Sequence, residues 1–417
     1  MNKIKIDKWF CFGVSIVLLL YMGLSIYSLK ARTQTYNESQ SYISWGKLYP
    51  FEHITAEDKT NIGASNRLNQ KWNKLINTIK RYSGKIQRHI WRNDAVLSIG
   101  YYVDSFFSNT EIREGYLKMD NGYWVQRNEE TDLSEYALNY IELTNWTESQ
   151  GIPTLFVQPS IKEALEPLSV PYGCRTYRND NVSSFIVEIM EQGIEMVDLR
   201  NLPYTQGTDP YEWFYKGDHH WKPELAFLAT QEIVDALNEL YGKSLDTQWL
   251  DADLYDLLTF KSIVFTSVAR EVGSMAENPE DYSIFIPKFN TDFHITSLDD
   301  GVDKQGTFND VMIDYKLAQK LSSGYEDNAS GVLLYGNSGL VEIKNNKNKA
   351  GIRVLLIRDS FANAVAPYLA MTCAEVDLID VRNDGGNFTG SIRTYIKKKN
   401  PDIIIFLQYY PQNRSLN

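Results

Sequence analysis

The 417-residue sequence predicts an α/β domain whose mostly parallel sheet is flanked by helices. The first observation is an alternation of short apolar runs with helix-like stretches from about residue 131 onward, which is typical of βαβ units. The second is the run at residues 352–357, which only Arg353 interrupts. A nearly continuous run of branched apolar residues indicates a strand that is buried on both faces, as in a parallel sheet covered by helices.

Five strands and five helices make up this alternation. The predicted strands are residues 154–157, 194–199, 352–357, 375–380 and 402–407, and the predicted helices are residues 132–150, 182–192, 223–241, 361–371 and 389–399. Gly151 and Pro153 end the first helix, and Pro223 occupies the first turn of the third, where its missing N–H carries no cost. The α/β domain is therefore expected to span residues 131–417.

The alternation breaks down within residues 245–349, which we interpret as an insertion. It is expected to lie over the sheet as a lid or as one wall of a binding site. Residues 260–265 and 282–286 are candidate strands within it, and residues 331–336 form a clearer one that ends at Asn337.

The amino-terminal residues predict a membrane anchor. Three lysines within residues 1–8 precede a run, residues 9–29, that contains no charged side chain. This run is long enough to cross a hydrocarbon core of about 30 Å as a helix, and the preceding lysines place the amino terminus inside. We predict an uncleaved anchor at residues 1–32, a stalk or lead-in region at residues 33–130, and an extracytoplasmic remainder. A cleaved signal peptide is the alternative.

Charge and cysteine content restrict the remaining possibilities. The formal net charge of −11 argues against a nucleic-acid partner, because phosphates require a basic surface. Cys174 and Cys373 are the only cysteines beyond the predicted anchor, and their spacing does not establish whether they form a disulfide or are buried thiols.

Ser360 lies where the strand at residues 352–357 gives way to a helix, in the segment Arg358-Asp359-Ser360. A strand, a sharp turn with serine and a helix present a nucleophile at the carboxyl end of a sheet in many α/β folds. The helix amino terminus also directs free N–H groups towards an oxyanion formed there. The simpler alternative is that Ser360 only caps the helix.

The second candidate segment is Asp218-His219-His220-Trp221. In an extended segment Asp218 and His220 project to the same side, so the carboxylate can orient the ring while the other ring nitrogen accepts a proton from a hydroxyl. Two alternatives compete with this interpretation. Asp218 can cap the following helix while the histidines pack, or Asp218, His219 and His220 can bind a metal. The metal interpretation lacks further ligands at fitting spacing.

Together with the segment Arg358-Asp359-Ser360-Phe361-Ala362-Asn363, the aspartate–histidine segment resembles the bacterial DHHW family. That family is similar to the alginate O-acetylation proteins of the SGNH hydrolase-like superfamily of esterases and acyltransferases. The resemblance covers roughly residues 132–417. It implies an SGNH hydrolase-like fold with Ser360 as nucleophile, His220 as base and Asp218 as the orienting acid, and it gives His219 no role. Arg358 departs from the glycine that the wider superfamily has there, which leaves the oxyanion hole undefined.

Three further residues have tentative roles in substrate or oxyanion binding. Arg382 and Asn337 follow predicted strands, where ligands bind in parallel sheets. Arg382 can bind a carboxylate or developing negative charge, or form a surface ion pair; Asn337 can donate to an oxyanion or serve a turn. Trp221 can pack under His220 or stack on a sugar ring.

The resemblance implies an extracytoplasmic, membrane-anchored O-acyltransferase, in particular an O-acetyltransferase, that acts on a cell-surface or secreted polysaccharide through an acyl-enzyme. It also implies a polytopic membrane-bound O-acyltransferase partner that supplies the acyl group, and neither metal nor cofactor. A carbohydrate esterase or deacetylase with the same residues, and a non-catalytic glycan-binding scaffold subunit, are the alternatives.

Overall fold

An eight-stranded mixed sheet forms the centre of the fold, in the order β5-β4-β13-β11-β12-β10-β8-β9. The strands are β1 (Ile112–Arg113), β2 (Tyr116–Lys118), β3 (Trp124–Gln126), β4 (Thr154–Gln158), β5 (Met196–Asp198), β6 (Tyr255–Val264), β7 (Glu280–Pro287), β8 (Phe293–Ser297), β9 (Val302–Gly306), β10 (Leu340–Asn345), β11 (Arg353–Arg358), β12 (Glu375–Asp380) and β13 (Ile403–Leu407). The α-helices are α1 (Ser134–Ser149), α2 (Arg178–Glu191), α3 (Pro223–Tyr241), α4 (Ser267–Glu271), α5 (Phe308–Met312), α6 (Tyr315–Leu321), α7 (Ala366–Thr372) and α8 (Ile392–Lys399).

The structure is a computed structural model that describes residues 112–113, 115–265, 267–272, 277–297, 301–322, 328–382, 388 and 390–411. The predicted anchor at residues 1–32 and the predicted lead-in region up to residue 111 lie outside these ranges. Each helix within them is too short or too polar to cross a bilayer.

The sheet is mixed, and the parallel arrangement that the sequence predicted is found in five of its eight strands. Its first five strands, β5 to β12 in sheet order, are parallel, whereas β10, β8 and β9 add three antiparallel strands to one side. These three strands come from the predicted insertion, so this part of residues 245–349 extends the sheet. In β8 and β10, buried residues alternate with partly buried or exposed ones. Half-exposed strands of this kind carry enough polar residues to resemble loops.

The structure also differs from the sequence-based prediction at residues 331–336 and 361–371. Residues 331–336 do not form a strand, because Leu334 and Tyr335 have φ of 59° and 64°, in the left-handed region where an extended chain cannot continue. The predicted helix at residues 361–371 is divided into a 3₁₀ turn, Ser360–Ala364, and helix α7. Residues 260–264 of the first candidate strand and residues 282–286 do fall on strands, β6 and β7, which form a separate antiparallel pair.

Alternate residues of the central strands face two different cores. Leu355 and Ile357 of β11 belong to the core covered by α1 and α8, while Val354 and Leu356 belong to the core covered by α3 and α7. This accounts for the nearly unbroken apolar run in the sequence, since a strand covered on both faces has no polar side. β11 lies between β12 and β13, so its carboxyl end lies beside those of two parallel neighbours. Cys174 and Cys373 are both free thiols.

Candidate active site

A short closed loop presents Asp218 and His220. Phe214 and Trp221 form an isolated antiparallel bridge, and the Lys222 N–H donates to the Trp213 carbonyl oxygen over 2.8 Å. The residues between these contacts must therefore turn back on themselves directly before α3 begins at Pro223. This loop holds the aspartate and the histidine in place from both sides.

The serine is presented by the turn after β11. Asp359 caps this turn, because one of its carboxylate oxygens accepts the Phe361 N–H over 2.9 Å. The other oxygen accepts the N–H of Tyr409, directly beyond β13, over 2.6 Å. One buried carboxylate therefore ties the ends of two neighbouring strands together. Burial raises the pKa of the Asp359 carboxyl, and the nearby Arg382 guanidinium and the two N–H donors oppose that rise.

The structure brings Ser360, His220 and Asp218 together. The Ser360 Oγ lies 2.7 Å from the His220 Nε2, and the His220 Nδ1 lies 2.5 Å from an Asp218 carboxylate oxygen. The other Asp218 oxygen accepts the backbone N–H of Ser267, at the start of α4, over 3.1 Å. All three reacting side chains are buried. With Nδ1 donating to the carboxylate, Nε2 is the acceptor that can take the hydroxyl proton.

An aromatic stack supports the imidazole ring. Phe361 stacks on His220 with the ring centres 5.0 Å apart, and Tyr409 stacks on Phe361 at 4.7 Å and 6°. The Tyr409 hydroxyl donates to the buried Glu163 carboxylate. Because Asp359 binds the N–H groups of both Phe361 and Tyr409, the same carboxylate that shapes the serine turn also aligns the stack. The ring of His220 therefore has little freedom to rotate away from Ser360.

His219 lies beside the pair without touching the serine. Its ring centre is 4.0 Å from that of His220, and one third of its side chain is exposed. Burial of the ring lowers the pKa of His219 well below its ordinary value, and His220 lowers it further. Ligand atoms of Asp218, His219 and His220 all lie within 4.8 Å of one another. A metal there would have to displace the hydrogen bond between Asp218 and the His220 Nδ1, so the geometry favours the serine arrangement over the metal one.

Buried Arg358 orients the side chain of Asn337. Its side-chain oxygen accepts from the Arg358 guanidinium over 3.1 Å and from the Asn363 amide over 3.2 Å. Arg358 is fully buried and also donates to the Ser338 carbonyl oxygen over 3.0 Å. The guanidinium therefore fixes Asn337 as an acceptor, and Asn337 in turn fixes the amide nitrogen of Asn363. These contacts engage only the side-chain oxygen, so the tentative role of Asn337 as an oxyanion donor through its side-chain nitrogen stays a prediction.

Arg382 and Trp221 also have structural partners. Arg382 forms a bidentate pair with the buried Asp380, with nitrogen–oxygen distances of 2.6 and 3.0 Å. Arg382 is therefore an ion-pair residue and does not line the pocket that contains Ser360. Trp221 is buried against Phe361 and donates its indole N–H to the Phe361 carbonyl oxygen over 3.3 Å. It packs under the serine turn, and part of it reaches the pocket wall.

A pocket opens at the serine. Its walls are formed by the aspartate–histidine loop, the serine turn, strands β6 and β7, and the 3₁₀ turn at Ala329–Val332. The lining residues are Tyr215, Asp218, His220, Trp221, Pro223, Val264, Tyr282, Asn328, Ala329, Ser330, Ser360, Asn363 and Ala364. Among the described residues, the buried Tyr215 hydroxyl and the buried Asn363 side-chain oxygen have no hydrogen-bond partner. Burial raises the pKa of Tyr215 well above its ordinary value, so this hydroxyl stays protonated. Buried polar atoms of this kind are normally paired, so they mark where a ligand or water would bind.

A buried lysine supports the loop from behind. The Lys162 ammonium donates to the carbonyl oxygens of Tyr215 and Lys216 over 2.9 and 3.2 Å, two residues before Asp218. Burial lowers the pKa of Lys162 from 10.5 to about 8, although nearby carboxylates including Glu163 oppose that fall. The folded protein therefore holds this proton less tightly than the unfolded chain does.

The position of Lys162 predicts a particular dependence of stability on pH. Between pH 8 and 10.5 the unfolded chain binds more protons at this site, so the contribution of Lys162 to stability rises with pH. We expect the wild type to gain up to about 3 kcal/mol relative to Lys162→Met over this range. Urea unfolding at several pH values measures the difference. Lys398→Met, on an exposed face of α8, controls for the loss of one positive charge. A wild-type-to-variant difference that stays constant with pH would contradict the expectation.

Several residues of the site were not predicted from the sequence. Ser267 contributes its backbone N–H to Asp218 and its hydroxyl to the Gly217 carbonyl oxygen, and no local sequence pattern marks either contact. Tyr215 and Lys162 belong to no motif that the sequence reveals. Asn363 belongs to the serine motif, and this position was the only sequence feature that could have identified it as a site residue.

The fold and the geometry define an SGNH-like α/β domain, with a large mixed sheet flanked by helices and a serine beside an aspartate–histidine pair at the carboxyl ends of the parallel strands. Residues 113–253 match the family described as SGNH hydrolase-like domain, acetyltransferase AlgX. The predicted resemblance is thereby confirmed. The matched segment contains Asp218 and His220 and ends before Ser360.

Solved structures show the same fold. PatB1 of Bacillus cereus, whose structure carries a sulfonyl adduct, aligns with a TM-score of 0.56 and 20% identity over 72% of this chain and 97% of that chain. A DHHW family protein from Eubacterium siraeum aligns with a TM-score of 0.52 and 17% identity over 70% of this chain and 89% of that chain. A comparison with curated protein sequences finds no match.

Proposed function

We propose that this protein is an O-acyltransferase, in particular an O-acetyltransferase, that acts on a cell-surface or secreted polysaccharide. The observation that carries the proposal is the 2.7 Å contact between the Ser360 Oγ and the His220 Nε2, with Asp218 on the other ring nitrogen, inside a pocket at the carboxyl end of the sheet. The matched family, whose description names an acetyltransferase, supports acetyl transfer as the reaction.

The reaction proceeds in two steps through Ser360. His220 takes the Ser360 proton at Nε2 while the Oγ attacks the carbonyl carbon of an acyl donor, and the departing group then receives that proton. A hydroxyl of the glycan next gives its proton to the same nitrogen and attacks the acyl-enzyme. The departing Ser360 Oγ takes that proton from Nε2, which restores the serine. Asp218 holds the ring in the required tautomer and stabilises the imidazolium that forms. The Ser360 N–H, at the start of its turn, is the donor closest to the developing oxyanion.

The unpartnered atoms of the pocket support an alcohol as the acceptor. The Tyr215 hydroxyl can donate or accept, and Asn363 offers an oxygen that can only accept. Arg358 and Asn337 prevent the Asn363 amide from reversing, because a reversed amide would bring two acceptors together. A sugar hydroxyl, which donates one hydrogen bond and accepts others, complements this pair of groups.

The location and the partner are part of the same proposal. The uncharged run at residues 9–29, after three lysines, supports an anchor with the folded domain outside the cytoplasmic membrane. An acyltransferase on that side needs an acyl donor delivered there, and the resemblance supports a membrane-bound O-acyltransferase as the supplier. The charge of −11 gives no reason to expect nucleic acid as a partner.

A product analysis separates transfer from hydrolysis. Full-length protein in detergent is incubated with p-nitrophenyl acetate and a panel of neutral and acidic oligosaccharides, and acetylated sugar is compared with free acetate by mass spectrometry and NMR. Acetylated sugar that requires Ser360 supports the proposal. Free acetate alone identifies an esterase, and the absence of both products identifies a scaffold protein; either result overturns the proposal.

Removal of one buried hydroxyl tests the acceptor contact. We expect Tyr215→Phe to raise the KM for the oligosaccharide acceptor about tenfold, the equivalent of one buried hydrogen bond. Stability should stay within about 0.5 kcal/mol, because the hydroxyl has no partner among the described residues and the ring is retained. Acceptor titrations at a saturating acyl donor measure the KM. A loss of stability with an unchanged KM would show that the hydroxyl serves the fold instead.

A further inference from the structure

A second pocket lies at the opposite end of the sheet from Ser360. Its walls include Trp249, Phe289, Asn290, Asn348 and Asp246. It includes Asn345, the last residue of β10. This end of β10 pairs with the start of β12, which in turn pairs with the start of β11. Ser360 follows the other end of β11, whose six residues span about 20 Å. The two pockets are therefore separate sites.

The aromatic wall of this pocket is preorganised. Trp249 and Phe289 have ring centres 4.8 Å apart and planes inclined at 48°, which gives a cleft instead of a flat stack. Tyr255 packs edge-on against Phe289 at 5.7 Å and donates its hydroxyl to the Trp249 carbonyl oxygen. Trp249 is only partly buried, so its ring also offers a surface to the pocket. Little conformational entropy would be lost when a ligand packs against rings that are already fixed.

Amide groups surround these rings. Asn345 is held by the Ala370 carbonyl oxygen over 2.9 Å, and Asn348 by the Thr372 carbonyl oxygen over 2.9 Å. Among the described residues, no hydrogen bond engages the Asn290 side chain or the Trp249 indole N–H. The pocket therefore offers free donors and acceptors beside an apolar ring face, which is the combination found in small-ligand sites.

The charges favour a neutral ligand. Lys347 is the only basic side chain in the pocket wall, and its ammonium already donates to the Asn290 carbonyl oxygen over 2.8 Å. Asp246 adds a carboxylate at the rim, which would repel an anion. We propose that this pocket binds a neutral sugar ring, with the ring's C–H face on Trp249 and its hydroxyls on Asn290 and Asn348. The inference rests on the proposed function in taking the ligand to be part of the polysaccharide substrate.

A remote sugar site would raise the local concentration of the polymer near Ser360. A chain that binds at both pockets makes its second contact intramolecularly, so weak binding at each pocket is amplified. A polymer long enough to cover about 20 Å would gain from this, whereas a short fragment would not.

Binding to an inactive variant tests the site separately from the chemistry. Full-length Ser360→Ala protein is titrated calorimetrically with tetra-N-acetylchitotetraose, cellotetraose, maltotetraose and, as an anionic probe, tetragalacturonate. We expect at least one neutral tetrasaccharide to bind, and Trp249→Ala in the same background to raise its Kd about tenfold. Asn290→Ala, at an exposed position that is tolerant of substitution, should weaken binding in the same direction even if Trp249→Ala lowers stability. Trp146→Ala, which removes a tryptophan from the α1 face, should bind as the parent does.

The outcomes distinguish the two proposals. Failure of every neutral tetrasaccharide to bind, or binding that Trp249→Ala and Asn290→Ala leave unchanged, overturns the second site and leaves acyl transfer at Ser360 unaffected. Stronger binding of tetragalacturonate than of the neutral probes overturns the assignment of a neutral ligand. Pocket-dependent binding together with no acyl transfer by the wild type would retain the sugar site and reject the proposed reaction.

Discussion

We expect Ser360→Ala to form no covalent adduct with an alkyl fluorophosphonate probe and to lose about 10⁴-fold or more of the p-nitrophenyl acetate turnover of the wild type. The reason is geometric: the Ser360 Oγ is the hydroxyl that lies 2.7 Å from the His220 Nε2, so its removal leaves the base without a nucleophile to activate. Intact-mass spectrometry measures the adduct, and single-turnover kinetics measure the rate. Ser338→Ala, which removes another buried serine hydroxyl behind the turn, should keep both labelling and turnover.

A double variant strengthens this test. If Ser360, His220 and Asp218 act as a unit as proposed, Ser360→Ala with His220→Ala should be no slower than Ser360→Ala alone. Labelling of Ser360→Ala at the wild-type rate would mean that a different side chain is the nucleophile that reacts with the probe. In that case the 2.7 Å contact would be a structural hydrogen bond and the enzyme proposal would fail.

The sequence predicted the parallel part of the fold well because burial on both faces leaves a clear pattern. The apolar run that contains β11 and the strand–helix alternation identified β4, β5, β12 and β13 to within two residues. The antiparallel strands β8 and β10 were missed for the opposite reason. Each exposes alternate side chains, and in β10 Glu342 and Lys344 make a strand resemble a polar turn. A pattern of period two over five or six residues carries less information than a solid apolar run.

The sequence pointed to some residues of the candidate site and not to others, and this difference has a physical cause. In the proposed reaction Ser360, His220 and Asp218 act through their own side-chain chemistry, so residue type and sequence context pointed to them. Arg358 and Asn337 act through each other, since the guanidinium fixes the amide and the amide fixes Asn363. Pairings of this kind depend on which chain segments meet, and nothing local in the sequence records that. The same holds for the ion pair that engages Arg382.

Arg358→Met should lower the free energy of unfolding by about 3 kcal/mol. Arg358 replaces the glycine that the resemblance predicts, and its guanidinium is fully buried, 3.4 Å from the equally buried Asp380. Loss of one partner from a buried pair leaves the other charge poorly compensated. Here the Ser338 carbonyl oxygen also loses its Arg358 donor, and the Asn337 side-chain oxygen keeps only the Asn363 amide as a donor. Arg382 still pairs with Asp380, which keeps the expected loss at the lower end of the range for buried pairs.

A matched control lies on the same strand. Arg353, at the start of β11, pairs with Asp402 at 3.6 Å while both side chains are about 40% exposed. Arg353→Met should therefore cost no more than about 1 kcal/mol. Urea midpoints with their m-values, measured at the same pH and salt for both variants, give the comparison. Equal losses for the two substitutions would show that burial of Arg358 contributes nothing beyond an ordinary surface pair, and the network that orients Asn363 would then have no energetic basis.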